Sequence, residues 1–191
     1  MLTVRERQEY LKKLGLYTGA IDGIAGPLTK AAYLKLQKKY FTRAKDQDGL
    51  YGSDTDKLLQ NAYRVAVYTD NFDLPEFKCE CGGRYCTGYP VILNVQLLKN
   101  IQDVRDKYDQ PITITSGMRC RAYNNSLAGS SSTSRHMDGK ALDIFLDKTR
   151  MPSGRKEVMA YWKKLPRYNY TYCNIDGDYP NMGNAVHVDV R

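Results

Sequence analysis

Ser134-Arg135-His136-Met137-Asp138-Gly139-Lys140-Ala141-Leu142-Asp143 sets a histidine, a glycine and an aspartate at short, directional spacings. Gly139 lies between His136 and Asp143 and permits a turn that a residue with a Cβ would resist. Beyond it, Lys140 to Leu146 reads as a strand. Alternation puts Ala141, Asp143 and Phe145 on one face and Leu142, Ile144 and Leu146 on the other. Asp143 then points from the strand toward the loop that carries His136, with the small Ala141 leaving room beside it.

The closing segment Ala185-Val186-His187-Val188-Asp189-Val190 also alternates. Val186, Val188 and Val190 suit a core, which puts His187 and Asp189 together on the opposite face. The chain has only two histidines, His136 and His187, and both stand near carboxylates. Catalytic zinc takes three protein ligands from His, Asp or Glu and leaves a position for water. The two stretches therefore read as halves of one zinc site, with His136, Asp143 and His187 as ligands.

Ser-x-His-x-x-Gly-x-Ala-x-Asp, met here by Ser134, His136, Gly139, Ala141 and Asp143, resembles the signature of the zinc D-Ala-D-Ala carboxypeptidase and L-alanyl-D-glutamate peptidase family of peptidoglycan hydrolases. The resemblance runs from about Phe72 to the C-terminus. It takes in Pro111-Ile112-Thr113-Ile114-Thr115-Ser116-Gly117-Met118-Arg119, similar to the family's strand and Ser-Gly-x-Arg loop, and the closing His-Val-Asp-Val-Arg. It implies that His136, Asp143 and His187 bind zinc, that Arg119 faces the substrate, and that Ser134 helps position it. Relatives often carry a general base three residues before the last histidine, where this chain has Asn184. An amide cannot take that proton. Asp189 is the nearest substitute, the alternative for it being a partner that orients His187. Asp176 and Asp178 also lie within reach of the site in sequence.

Length and composition agree with one medium domain or two small ones. The chain has 191 residues, 42% hydrophobic and 26% charged, which suits a folded protein rather than a disordered one. No apolar run approaches the ~18–20 residues of a membrane span, and Met1 to Arg7 lacks the apolar core of a secretory signal. Net charge is +8, which favours polyanions such as nucleic acid, anionic lipid or an anionic cell wall. The basic residues are spread along the chain, so no single stripe argues for nucleic acid and most of them read as a solvated face. Three cysteines cluster as Cys79-Glu80-Cys81-Gly82-Gly83-Arg84-Tyr85-Cys86. This spacing does not match the C-x2-C pairs of zinc knuckles. Reduced thiols are the expectation, with a second metal or a disulfide, for example to Cys120, as the alternatives.

The N-terminal third reads as helices from Val4 to Leu14, Pro27 to Tyr40 and Ser53 to Val67. They are joined by turns that repeat Asp-Gly-x-x-Gly-x-x-Thr, at Asp22–Thr29 and again at Asp48–Thr55. Together with Leu14-Gly15-Leu16-Tyr17-Thr18-Gly19 and Leu36-Gln37, this resembles the peptidoglycan-binding three-helix module of wall hydrolases. Residues 1–67 are expected to form that module and residues 72–191 the peptidase, joined by a short link. The second part reads as a helix from Val91 to Tyr108, a strand from Ile112 to Thr115, a polar loop from Arg121 to Arg135, a helix from Pro152 to Leu165 and strands at Tyr170–Ile175 and Ala185–Val190. Helices and strands mix without a βαβ rhythm, so the expected class is α+β with a small antiparallel sheet.

These features together resemble a bacteriophage endolysin. The resemblance implies a monomeric zinc peptidase acting on bacterial peptidoglycan, without nucleic acid or membrane insertion. It also implies residence in the host cytoplasm until a holin opens the membrane. A catalytically inactive wall-binding protein is the alternative, and Asn184 is its support.

Overall fold

Thr3 opens the first helix with a reciprocal cap: its hydroxyl accepts from the Glu6 amide while the Glu6 carboxylate accepts from the Thr3 amide. In the computed structural model, which describes residues 1–175 and 179–191, this helix is α1 (Val4–Lys13). It is followed by α2 (Pro27–Tyr40) and α3 (Ser53–Tyr68). Leu11, Leu36, Leu58 and Leu59 are fully buried between the three.

The repeated turns are built the same way twice, each around one buried glutamine. Gln8 Nε2 donates to Asp22 Oδ1 (2.7 Å), the Ile24 carbonyl (3.1 Å) and Thr29 Oγ1 (3.2 Å), while Gln8 Oε1 accepts from the Gly23 amide. Gln37 Nε2 donates to Asp48 Oδ1 (3.0 Å), the Leu50 carbonyl (2.9 Å) and Thr55 Oγ1 (3.0 Å), and Gln37 Oε1 accepts from the Gly49 amide. The sequence repeat is thus the visible half of a device whose other half, a glutamine on the preceding helix, is supplied from a distance.

The second part is α+β. Helix α4 (Val95–Tyr108) is capped by Asn94, whose side chain accepts from the Gln96 and Leu97 amides, and it begins four residues later than the apolar pattern from Val91 indicates. Strands β1 (Thr113–Ser116), β2 (Ala141–Phe145), β3 (Tyr168–Cys173) and β4 (Val186–Val190) form one antiparallel sheet in the order β1-β2-β4-β3. Residues expected as a polar loop after Arg121 instead begin with a short helix, α5 (Arg121–Ser126), because Cys120 Sγ caps the Tyr123 amide. Helix α6 (Pro152–Trp162) lies on the sheet. Its Trp162 is fully buried and donates through Nε1 to the Asp189 carbonyl (3.1 Å). Leu142, Ile144, Val186, Val188 and Val190 fill that inner face at 0% exposure. The alternate residues of β2 and β4 therefore point to the other face, where the site lies.

The two parts pack directly. Asn61 of α3 donates to the Val91 carbonyl and accepts from the Leu93 amide, both at 2.8 Å, and Arg64 Nη1 donates to the Leu93 carbonyl. The buried apolar cluster runs without a break from Leu11 to Val190.

Candidate metal centre and its cleft

Asp143 on β2 and His187 on β4 are register partners, so pairing of the two central strands alone sets them side by side. His136 arrives from a single 3-10 turn (Arg135–Asp138) that stops at Gly139. Gly139 has φ +65°, and a Cβ there would overlap the Ile92 carbonyl, so the turn demands glycine on both counts. His136 Nε2, Asp143 Oδ1 and His187 Nδ1 form a triangle with edges of 3.3 Å (His136–His187), 3.4 Å (His136–Asp143) and 2.8 Å (His187–Asp143). Ligands held 2.0–2.2 Å from a tetrahedral zinc sit roughly 3.3–3.5 Å apart. The donor set and the two longer edges therefore fit such an ion, the 2.8 Å edge being at hydrogen-bond distance, and all three residues are buried.

Both rings are fixed from behind. His136 Nδ1 is 2.8 Å from the Gly117 carbonyl, so it carries the proton and Nε2 keeps a lone pair for the cluster. Gly117 is itself packed so closely that a Cβ would overlap the Phe77 carbonyl. His187 Nε2 faces Asp189 Oδ2 at 3.4 Å, leaving Nδ1 for the cluster. Asp189 is itself anchored: its Oδ1 accepts from the Tyr170 amide (2.6 Å) and Asn169 Nδ2 (2.9 Å). It thus sits on the far side of the His187 ring from the triangle. Tyr172, the β3 register partner of His187, stacks on that ring at 4.4 Å between centroids. Burial pushes the Tyr172 hydroxyl up to about 12.

The electrostatics follow from this packing. Burial opposes ionisation of Asp143, but the adjacent His136 and His187 imidazoles hold its carboxyl well below the usual carboxylate range. Burial pushes His136 down. In His187 the effect of burial is outweighed by Asp143 and Asp189, and its pKa is raised. Asp189, opposed by burial and held by His187 and Asn169, is lowered.

Arg119 meets the cluster from the β1 side. Its Nη2 donates to Asp143 Oδ2 (2.9 Å) and its Nε to Ser116 Oγ (2.9 Å). It also lines a cleft of about 720 Å³ shared with Ser134, His136, Asp143, His187, Asp189, Tyr170, Tyr172 and Tyr179. Ser134 is in the cleft wall and half-buried. Asn184 stays off the triangle: its Oδ1 accepts from Arg155 Nη1 (2.9 Å), and it lines an adjoining cleft with Glu80, Arg119 and Asp143. Asp176 and Asp178 lie outside the described residues. Two contributors were not singled out from sequence. Tyr172 follows Tyr170 at the strand spacing of two, and that alternation beside β4 is the signal that marks it. Glu80 sits inside the cysteine cluster and carries no local signal for the cleft; burial raises its carboxyl pKa.

The chain is 32% identical over 174 residues to a zinc D-Ala-D-Ala carboxypeptidase of Streptomyces albus G, a match that takes in 88% of this chain. It spans 64% of that relative's length. Residues 70–189, which contain every member of the triangle and its supports, match the Peptidase M15 family. That match covers more than half of the sequence, and the chain belongs to the Peptidase M15 family.

Proposed function

We propose that this chain is a zinc-dependent peptidase that hydrolyses peptide bonds in the stem peptide of bacterial peptidoglycan. The observation that carries this reading is the buried His136–Asp143–His187 triangle, with edges of 2.8–3.4 Å, inside the segment that matches Peptidase M15. The name of the Streptomyces relative supports zinc as the ion and a D-Ala-D-Ala terminus as a substrate class. When bound, zinc supplies Lewis acidity that polarises a carbonyl and lowers the pKa of water to about 7.

The chain's own residues do the rest. Gly117 and Asp189 hold the two imidazoles in the tautomers that turn a lone pair inward. Arg119 spends one N–H on Asp143 and one on Ser116, and its other donors are available to a substrate carboxylate or to a carbonyl oxygen gaining charge. Ser134 and the tyrosines 170, 172 and 179 form the walls along which the peptide lies. We assign Asp189 the orienting role, because it is bonded behind His187 rather than beside the open side of the triangle. Among the described residues, Glu80 is the other acidic residue, besides Asp143, of the adjoining cleft, and its raised pKa suits a proton acceptor.

Residues 1–67 act in this proposal as a wall-binding module that raises the enzyme's local concentration. Ile24 and Leu50 support it: they occupy equivalent places in the two turns and stay 66% and 62% exposed. The whole then works as an endolysin-like monomer released to the wall from the host cytoplasm. A second reading, a catalytically silent wall-binding protein, is favoured by the amide at Asn184. Digestion of purified peptidoglycan with and without chelator, read by mass spectrometry, tests both. New amino termini that vanish with chelator and return with zinc support the peptidase. Intact wall with zinc-loaded protein supports the silent one.

A further inference from the structure

Four of the chain's five cysteines meet in space. Cys79, Cys81 and Cys86 come from the loop after Phe77, and Cys120 caps α5. All four sulfurs lie within 4.8 Å of one another, and Cys81 and Cys86 are 3.5 Å apart. A disulfide needs about 2.05 Å between its sulfurs, and all five cysteines are free. Four thiolates at about 2.3 Å from a tetrahedral ion stand roughly 3.8 Å from one another, a spacing that sulfurs gathered within 4.8 Å can adopt with small shifts.

The surroundings suit sulfur carrying negative charge. Backbone amides point at three of the sulfurs, each at 3.4 Å: Cys120 N to Cys79, Gly88 N to Cys86 and Tyr123 N to Cys120. Hydrogen bonds to a charged acceptor are the strong kind. Neutral thiols, with only weak donors, would gain little from being crowded together. The loop also needs a brace. Residues 78–94 contain no helix or strand, and within the cysteine segment the backbone bonds are Cys79 N to the Gly88 carbonyl and Arg84 N to the Cys81 carbonyl.

We propose that Cys79, Cys81, Cys86 and Cys120 form a second, structural metal site for a thiophilic divalent cation, zinc in the first instance. Its place gives it a job. Cys120 directly follows Arg119, and the same segment carries the Gly117 carbonyl that fixes His136. A cation held by both loop and segment clamps them together beside the peptidase cleft. Arg43 adds a tie from the N-terminal helices, donating through Nη1 to the Gly83 carbonyl (3.2 Å).

The test uses the full chain and does not read activity. His136→Ala/His187→Ala removes the other cluster, so any remaining zinc reports on the cysteines. One equivalent is expected in that variant, with thiolate-to-metal charge-transfer absorption when cobalt replaces zinc. Adding Cys81→Ser/Cys86→Ser should abolish both. In wild-type protein, which avoids any folding defect of the variants, zinc should slow alkylation of these four thiols by about tenfold or more relative to chelator-treated protein, since coordination ties up the thiolate lone pair that attacks the reagent. Cys173, buried beside Met159, serves as the internal reference. Absence of zinc and of the absorption in the histidine variant overturns the proposal, as does an intact mass lowered by the hydrogens lost to a disulfide.

Discussion

The histidine cluster and the cysteine cluster each gather their ligand atoms within 4.8 Å of one another, yet they are held in opposite ways. Asp143 and His187 sit on paired central strands, and His136 on a turn braced by Gly117 and Ile92, so the scaffold sets their geometry. Cys79, Cys81 and Cys86 sit on a segment without helix or strand, held within itself by two backbone hydrogen bonds, so a bound ion would add much of what fixes its shape. In the first case the fold makes the site. In the second the site makes the local fold, and metal binding becomes folding free energy. The first cluster should therefore be sensitive in activity and the second in stability.

That contrast can be broken in order of effect. His187→Ala should lower peptidoglycan digestion by about a thousandfold or more, since the ion supplies several kcal/mol of charge stabilisation and each 1.36 kcal/mol is tenfold. Its melting temperature should move by only a few degrees, as roughly 2–4 °C per kcal/mol applies at this size. Cys120→Ser should show the reverse, with melting lowered on the order of 10 °C and activity impaired less than in His187→Ala. If both variants lose activity alone, the proposed division between the clusters is wrong.

Smaller effects sharpen the roles around the triangle. Asp189→Asn should reduce zinc affinity or activity by about 10–100-fold, as removal of an outer hydrogen-bond partner does. A larger fall in kcat with zinc affinity unchanged would instead make Asp189 the proton acceptor. Zinc affinity, followed by competition with a chromophoric chelator, should decline as pH falls through about 6.5, because ligating histidines must be neutral. His187, whose pKa is raised in the metal-free protein, takes its proton first as pH drops, and His136, whose pKa is lowered, takes its proton later. Affinity that stays flat down to about pH 5 would count against histidine ligation. Least of all, Gln37→Ala should destabilise the N-terminal helices by about 1–3 kcal/mol through the partners it strands, measured by denaturant melting, and leave zinc content alone.

The amino-acid sequence alone was enough for whatever depends on local spacing. Period-two alternation set the faces of β2 and β4, the Asp-Gly repeat set the two turns, and a lone pair of histidines near carboxylates marked the triangle. These are short-range properties of the backbone, so they survive being read one segment at a time. What only the tertiary structure decided is which distant segments meet. Gln8 and Gln37 complete turns that begin 14 and 11 residues further on. Asp189 lies behind His187 because β3 supplies the Tyr170 amide and Asn169. Cys120 joins Cys79 across 41 residues, where no C-x2-C pattern could announce it. The physical reason is the same in each case: side-chain spacing along a strand or helix is fixed by the backbone, whereas the meeting of separate elements is fixed by the packing of the whole core.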